Sequence, residues 1–408
     1  MKCRYCKNEL RIPFVDLGMA PPSNAYLTQG MLQQPEPFFP LKVSVCSECW
    51  LVQTDDYNKA DELFNHDYAY FSSTSTSWLT HAKDYCNKMM DILNLNEDSF
   101  VVELASNDGY LLKNFVEARV PCLGVEPTNS TADRAEENGV PTLRKFFGED
   151  CAFSIAKDKK ANLIAANNVY AHVPDIKDFT MGIKVLLAAT GTVTIEFPHL
   201  LELIKHSQFD TVYHEHYSYL SLTFVNRIFD DMGLRVYDVE KLGTHGGSLR
   251  IYGCHSGADI KTSENVYLLL NEENAYGMKN ADIYESFQGK AQTIRNEFLT
   301  FLIDAQNNNK NVIGYGAAAK GNTLMNYAGI KADMIDFVCD SAPSKQGKYL
   351  PGTHISIMTP DVIQSTKPDY IIVFPWNIID EVKVQLSYIN EWSGKLVTFV
   401  PCVKIHDN

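Results

Sequence analysis

"SFVVELASNDGYLL", residues 99–112, reads as a short apolar strand, a turn of small residues, and the opening of a helix. Small side chains at Ala105, Ser106 and Gly109 let the main chain approach a ligand, and a helix start offers unpaired N–H groups. The same alternation continues at "CLGVEP" (122–127), "ANLIAANN" (161–168) and "GTVTIEFP" (191–198), which predicts a parallel sheet covered by helices. It restarts at "NVIGYG" (311–316), "MIDFVCD" (334–340), "YIIVFP" (370–375) and "KLVTFVP" (395–401), after a helical bridge over about 260–309. The fold class is therefore α/β, with two such units. Residues 1 to about 60 differ: they are Pro-rich, lack periodicity and are too short to hold themselves by core burial alone.

The net charge of −14 over 408 residues, with no block of lysine and arginine, argues against nucleic acid as a partner. The start, "MKCRYCKNELR", has no apolar run, and runs such as "YIIVF" are too short to span a bilayer. The expectation is a cytoplasmic protein with no membrane partner. In a reducing compartment the ten cysteines are metal ligands or small core residues before they are disulfides. Cys3-x-x-Cys6 and Cys46-x-x-Cys49 supply two pairs of thiolates, each able to wrap one side of a tetrahedral zinc ion. Four protein ligands leave no open position, so the zinc is expected to be structural and linked to folding.

At the first turn, Glu103 ends a strand and Glu126 ends the next, where an acidic residue can accept from ribose hydroxyls. The dinucleotide glycine series is absent, because 105 is Ala and 107 is Asn. S-adenosylmethionine (SAM) suits the turn better than NAD: its sulfonium and amino-acid end want the acidic and carbonyl groups of Glu103, Asn107 and Asp108. Phe147 is a candidate to stack the adenine, and Asn167 and Asn168 lie at the carboxyl edge where such sheets bind ligands. In the second unit, "GYGAAAKGN" (314–322) permits a tight turn against a diphosphate, with Lys320 and the nearby Lys345 as charges.

Between the units lies "FDTVYHEHYSYLSL", residues 209–222. Its two histidines, glutamate and tyrosines fit a metal site, a polar piece of core or an acid–base centre. The last is best supplied, with imidazole for proton transfer and phenols as donors.

The order CxxC…CxxC, "VELASNDGYLL", "NNVYAHVPD", "FDTVYHEHYSYLSL" and "GYGAAAKGNTLMNY" resembles the sugar C-methyltransferases. These zinc-containing enzymes methylate C-3′ of TDP-4-keto-6-deoxysugars on the way to branched sugars such as tetronitrose. The resemblance spans residue 3 to the last strand. It implies a zinc-binding domain (1–65), a SAM-dependent methyltransferase domain of Rossmann-like class I type (66–258) and a Rossmann-like domain that helps hold the nucleotide-sugar (259–408). By motif, Tyr213, Glu215 and His216 match the family's active-site residues, as does His172. A further tyrosine falls in "HDYAYFSS", with Tyr68 favoured as catalytic and Tyr70 as a substrate contact. Asn322 joins Lys320 and Lys345 as an expected substrate contact. In this scheme His216 is the base, Glu215 tunes or orients it, and Tyr213 or His172 donates to the enolate oxygen. O- or N-methylation by SAM is the alternative chemistry; a zinc-ribbon binding protein or an NAD oxidoreductase would be more distant ones.

Overall fold

The computed structural model describes residues 1–55, 57, 73 and 76–407. Three sheets organise the chain. The first is antiparallel, with β1 (Ile12–Ala20), β2 (Phe39–Val45), β3 (Val52–Thr54) and, from far along the sequence, β9 (Ser218–Tyr219), in that order. Its strands escape a periodicity reading because β1 and β2 shift register between Pro13 and Val15 and again between Asp16 and Met19. Each shift moves side chains to the other face and breaks the alternation.

The second sheet holds β4 (Val101–Leu104), β5 (Cys122–Val125), β6 (Thr142–Leu143), β7 (Ala161–Asn167) and β8 (Leu187–Pro198), all parallel. A hairpin of β10 (Leu234–Leu242) and β11 (Ser248–His255) extends it antiparallel, giving the order β10-β11-β8-β7-β4-β5-β6. The chain runs outward from β4 through β5 and β6, then returns to place β7 beside β4. That reversal opens a crevice at the carboxyl ends of β4 and β7, where open α/β sheets bind ligands.

The third sheet repeats the device. β12 (Val312–Tyr315), β13 (Phe337–Cys339) and β14 (Ser356–Met358) run outward, and β15 (Tyr370–Val373) and β16 (Lys395–Thr398) return on the other side of β12. β17 (Lys404–His406) closes the edge antiparallel. The expected bridge consists of helices Glu264–Tyr276, Ala281–Glu285 and Phe287–Asn307.

Apolar packing joins the parts. Phe14, Leu41, Val43 and Val52 of the first sheet share a core with Tyr284, Phe287 and Phe298 of the bridge and Leu324 and Val338 of the last unit. Cys3, Tyr5 and Leu51 pack with Val102, Leu104 and Ile164 of the second sheet. The short N-terminal segment, unable to bury a core of its own, is thus covered by the two larger units. No helix among the described residues is long and apolar enough to cross a membrane.

A buried ion pair braces the second sheet. Arg250 on β11 donates to Glu196 on β8 at 2.7 Å, and His81 lies 3.0 Å from the same carboxylate oxygen. Despite burial, these partners hold the Glu196 carboxyl at about 2. Its contribution is present above the ordinary carboxylate range and is lost as pH falls through that value. Arg250→Met should cost about 3 kcal/mol at neutral pH by stranding a buried carboxylate. Urea unfolding should show that deficit shrinking as the pH approaches 2.

Candidate active site

The four cysteine thiols lie within 4.8 Å of one another, with Cys3 and Cys49 Sγ 3.6 Å apart and Cys6 and Cys46 Sγ 3.4 Å apart. Each CxxC turn closes alike: Lys7 and Trp50, immediately after the second cysteine of each pair, have φ of 63° and 61°. Their N–H groups donate to Cys3 and Cys46 carbonyls at 3.0 and 2.9 Å. Such a gathering of thiols fits a tetrahedral zinc ion with no open position. Gln53 Nε2 donates to Cys3 Sγ at 3.3 Å and supports that thiolate from outside.

From this knot the chain reaches the histidine motif directly. β3 pairs with β9 through Val52–Tyr219 and Gln53–Ser218. Thr54 Oγ1 donates to the His216 carbonyl at 2.9 Å, and the Thr54 N–H to the Tyr217 carbonyl at 3.2 Å. Arg4, inside the first CxxC, lies over the Tyr217 ring at 5.2 Å and donates to the Pro174 carbonyl at 3.0 Å.

Residues 212–217 form an irregular loop with a turn at His214–Glu215. A regular strand would put His214 and His216 on one face. The turn instead sends His214 against Phe39, 6.0 Å between ring centres, and His216 toward Tyr213 and His172, at 4.0 and 4.7 Å. His216 Nδ1 lies 3.0 Å from the Thr211 carbonyl. A carbonyl only accepts, so Nδ1 carries the proton and the lone pair resides on Nε2. Burial, with His172, His245 and Lys320 nearby, holds this imidazole well below its ordinary range, so it is neutral at pH 7.

The structure corrects two expected roles. Thr211, not Glu215, orients His216, because adjacent residues of the turn point apart. The Glu215 carboxylate accepts instead from Asn24 Nδ2 at 2.6 Å, and burial pushes it up to about 7. His172 Nδ1 likewise faces a carbonyl, that of Glu215, at 2.9 Å. Its Nε2 is then an acceptor, and burial pulls the ring down to about 4, so a neutral His172 offers no second donor where the sequence reading expected one.

At the crevice of the second sheet, Ala105, Asn107 and Gly109 take positive φ of 55°, 50° and 74°. A Cβ at Gly109 would stand 3.0 Å from Val140 and 3.2 Å from Ala135, so the turn needs glycine there. The helix expected straight after the turn begins only at Lys113, following further tight turns. Glu126, expected at a ribose, accepts from the Asn107 and Thr128 N–H groups at 3.0 and 2.9 Å, with the Thr128 and Thr131 hydroxyls also on its carboxylate, and so anchors the turn. Among the described residues, Glu103 Oε2, Asp108 Oδ1, Asn167 Oδ1 and both amide atoms of Asn168 are buried without a hydrogen-bond partner. Orphaned acceptors and amides at a sheet's switch point fit a cationic, amino-acid-bearing ligand such as SAM. Phe147 packs edge-on against Phe179 at 5.2 Å.

In the third sheet Lys320 lies 4.3 Å from the Trp376 ring centre and donates to Asn377 Oδ1 at 2.7 Å. Trp376 Nε1 donates to Asp210 Oδ2 at 2.7 Å. Burial pulls Lys320 down to about 8 and pushes Asp210 up to about 6, each opposed by the other's charge. Lys345 holds the turn below, donating to the Ala317 carbonyl at 2.9 Å and to Asp340 at 3.3 Å. Asn322 corrects another expectation. Only 1% exposed, it donates to the Ser23 carbonyl and accepts from Asn326, so it clamps the N-terminal segment rather than facing substrate. Tyr68 and Tyr70 lie outside the described residues.

Sequence reasoning missed Asn24 and Tyr26. Tyr26 donates to the Ala317 carbonyl at 2.6 Å, so "PPSNAYL" (21–27) ties the glycine-rich turn to Glu215. The clue available was an asparagine and a tyrosine in a Pro-rich, aperiodic stretch, which carries no chemistry by itself.

Three family models divide the chain: a putative zinc binding domain at residues 3–64, a methyltransferase domain at 78–239 and a C-methyltransferase C-terminal domain at 243–401. The chain is 32% identical over 401 residues to C-methyltransferase NovU of Streptomyces niveus, across 98% of this chain and 95% of that protein. It belongs to the C-methyltransferase family. Among solved structures, a SAM-dependent methyltransferase from Clostridium acetobutylicum is 12% identical, covering 44% of this chain and 92% of that one, with a TM-score of 0.36. The magnesium protoporphyrin IX methyltransferase of Synechocystis is also 12% identical, with 44% and 79% covered and a TM-score of 0.34. In this C-methyltransferase SAM is the methyl donor, and the matched methyltransferase domain contains the crevice of the second sheet.

Two measurements test the geometry. Stripping the zinc with a chelator should abolish methyl transfer while SAM binding, read by calorimetry, changes less than about threefold, because the knot anchors the His216 loop through β3, whereas Glu126 braces the turn at the crevice. Retention of turnover in metal-free protein would contradict this. Glu215, with its carboxyl raised, favours the fold below its ordinary value near 4.5 and loses that contribution as pH rises through about 7. Glu215→Gln should therefore gain on the wild type by about 3 kcal/mol in unfolding free energy between roughly pH 4 and pH 8.

Proposed function

We propose that this C-methyltransferase methylates C-3′ of a TDP-linked 4-keto-deoxysugar, with His216 as the base. The observation that carries the reading is the His216 tautomer: Nδ1–H is fixed on the Thr211 carbonyl at 3.0 Å, which leaves a basic Nε2 on a neutral ring. O- or N-methylation needs no carbon acid, whereas a carbon beside a ketone must lose a proton before it becomes nucleophilic.

Bound SAM would supply an electrophilic methyl group. Its holding falls to Glu103, Asp108, Asn167 and Asn168, whose buried polar atoms lack partners. His216 Nε2 takes the C-3′ proton, and the electron pair spreads onto the ketone oxygen as an enolate. Tyr213, its ring 4.0 Å from His216, is the donor assigned to that oxygen. His172, as a neutral acceptor, receives a hydrogen bond from a sugar hydroxyl or amino group. Lys320, desolvated on Trp376, provides positive charge for the anionic nucleotide-sugar. The resemblance to the sugar C-methyltransferases supports the nucleotide-linked 4-ketosugar as partner, and chemistry on such a substrate supports a cytoplasmic site.

Incubation with methyl-labelled SAM and a panel of TDP-4-keto-6-deoxysugars should yield one product whose new methyl is carbon-bound by NMR. An oxygen- or nitrogen-bound methyl would overturn the reading. His216→Ala should bind SAM and nucleotide-sugar within about threefold of wild type while kcat drops by ~10²–10⁴-fold.

A further inference from the structure

The motif "LGTHGGSLRIYG" (242–253) contains a histidine that the mechanism above leaves unused. His245 stands in the turn between β10 and β11 at φ 54°, ψ 21°, followed by Gly246 and Gly247 at φ 86° and 117°. The two glycines are required by contact. A Cβ at Gly246 would meet the Trp376 ring at 2.3 Å, and one at Gly247 would meet Glu202 at 2.9 Å. The left-handed region costs a side-chain-bearing residue about 1 kcal/mol, which glycine would avoid. A turn otherwise built from small residues nevertheless carries an imidazole at this position.

Its surroundings give the ring a purpose. Thr244 Oγ1 donates to Glu196 Oε1 at 3.1 Å, which ties the turn to the end of β8 beside Asn167 and Asn168. Gln208 Nε2 donates to the Gly246 carbonyl at 2.7 Å, and Gly246 abuts Trp376, on whose face Lys320 lies. The turn is therefore wedged between the SAM crevice and the Lys320 cluster. His245 itself is flanked by Trp78, 5.3 Å between ring centres. It lies deep in the molecule yet keeps accessible surface, as do Lys320 and His172, which places its ring on the wall of a cleft and not in packed core. Among the described residues, nothing hydrogen-bonds either ring nitrogen. An enclosed imidazole with no hydrogen-bond partner among the described residues is suited to meet a ligand.

We propose that His245 is a substrate-contacting residue of methyl transfer, its imidazole N–H donating to an oxygen of the sugar held between the SAM crevice and Lys320. It would add a donor beside Tyr213 and Lys320, where the Nε2 atoms of His172 and His216 are both acceptors. This inference rests on the functional reading above for the identity of the sugar.

The test uses zinc-loaded, full-length protein. His245→Gly removes the imidazole and relieves the strained φ, so its Tm should equal or exceed that of the wild type. SAM affinity should stay within about twofold, while kcat with TDP-4-keto-6-deoxyglucose falls by ~10²-fold or more. His245→Asn tolerates the same φ and keeps an N–H donor; it should recover at least about tenfold of the loss. A glycine variant within about threefold of wild type in both kcat and KM would overturn the proposal. A second readout does not need turnover. The ring-nitrogen NMR signal of His245, assigned by its disappearance in the glycine variant, should move when that nucleotide-sugar is added with S-adenosylhomocysteine present. A shifted signal without any C-methyl product would leave the contact standing and remove the reaction assigned above; an unmoved signal would remove the contact.

Discussion

The pairing of β3 with β9 is the contact on which the active site depends. The loop that carries Tyr213, Glu215 and His216 has no regular structure of its own, so its backbone groups must be satisfied from outside. β3 meets that need through two ladder positions and the Thr54 bonds to the His216 and Tyr217 main chain. A strand of three residues cannot hold a partner by itself. It is held here because Cys46 and Cys49 precede it immediately and fix its start on a metal knot. The zinc thus takes no part in the chemistry, yet it determines where the loop that carries His216 stands.

Inside the cleft, low dielectric does the rest. Burial strips water from His216 and His172 and keeps both rings neutral, and a backbone carbonyl on each Nδ1 selects the tautomer. Two imidazoles are thereby given the same polarity, with acceptor nitrogens toward the substrate side. Lys320 and Asp210 are likewise moved toward neutrality, by burial acting in opposite directions on opposite charges. Groups this far from water respond strongly to an incoming charge. At about 8 the Lys320 ammonium still carries most of its charge at neutral pH, so it stands as a desolvated cation on the Trp376 ring.

The two α/β units were legible in the sequence because parallel strands buried on both faces give uninterrupted apolar runs, such as "YIIVF". The four thiols were legible because zinc fixes ligand type and spacing. The strands β1–β3 were not, since register shifts destroy their alternation. The roles of Glu215, His172 and Asn322 were misjudged for a related reason. Sequence shows which groups are near one another along the chain, but not which way a turn aims them or which carbonyl a ring nitrogen meets. Asn24 contacts a glutamate 191 positions away, a relation that no local pattern encodes.

The two units also share a constraint that decides where specificity must come from. In the first, Glu126 accepts from the Asn107 and Thr128 N–H groups; in the second, Asp340 accepts from those of Ala317 and Ala342 at 2.7 and 2.8 Å. In each, the acidic residue after the second strand braces the turn after the first. Acids so engaged have less capacity to choose between ligands by themselves. On the proposed reading, discrimination falls to side chains from other stretches of the chain: Asn24 and Tyr26 from the N-terminal segment, Tyr213 and His216 from the loop before β9, and His245 from the hairpin turn that extends the second sheet. Tyr26 is itself bonded to the second turn through the Ala317 carbonyl, whereas Tyr213, His216 and His245 come from stretches outside both turns. On the proposed reading, one scaffold can in this way keep its cofactor turn while its sugar contacts change.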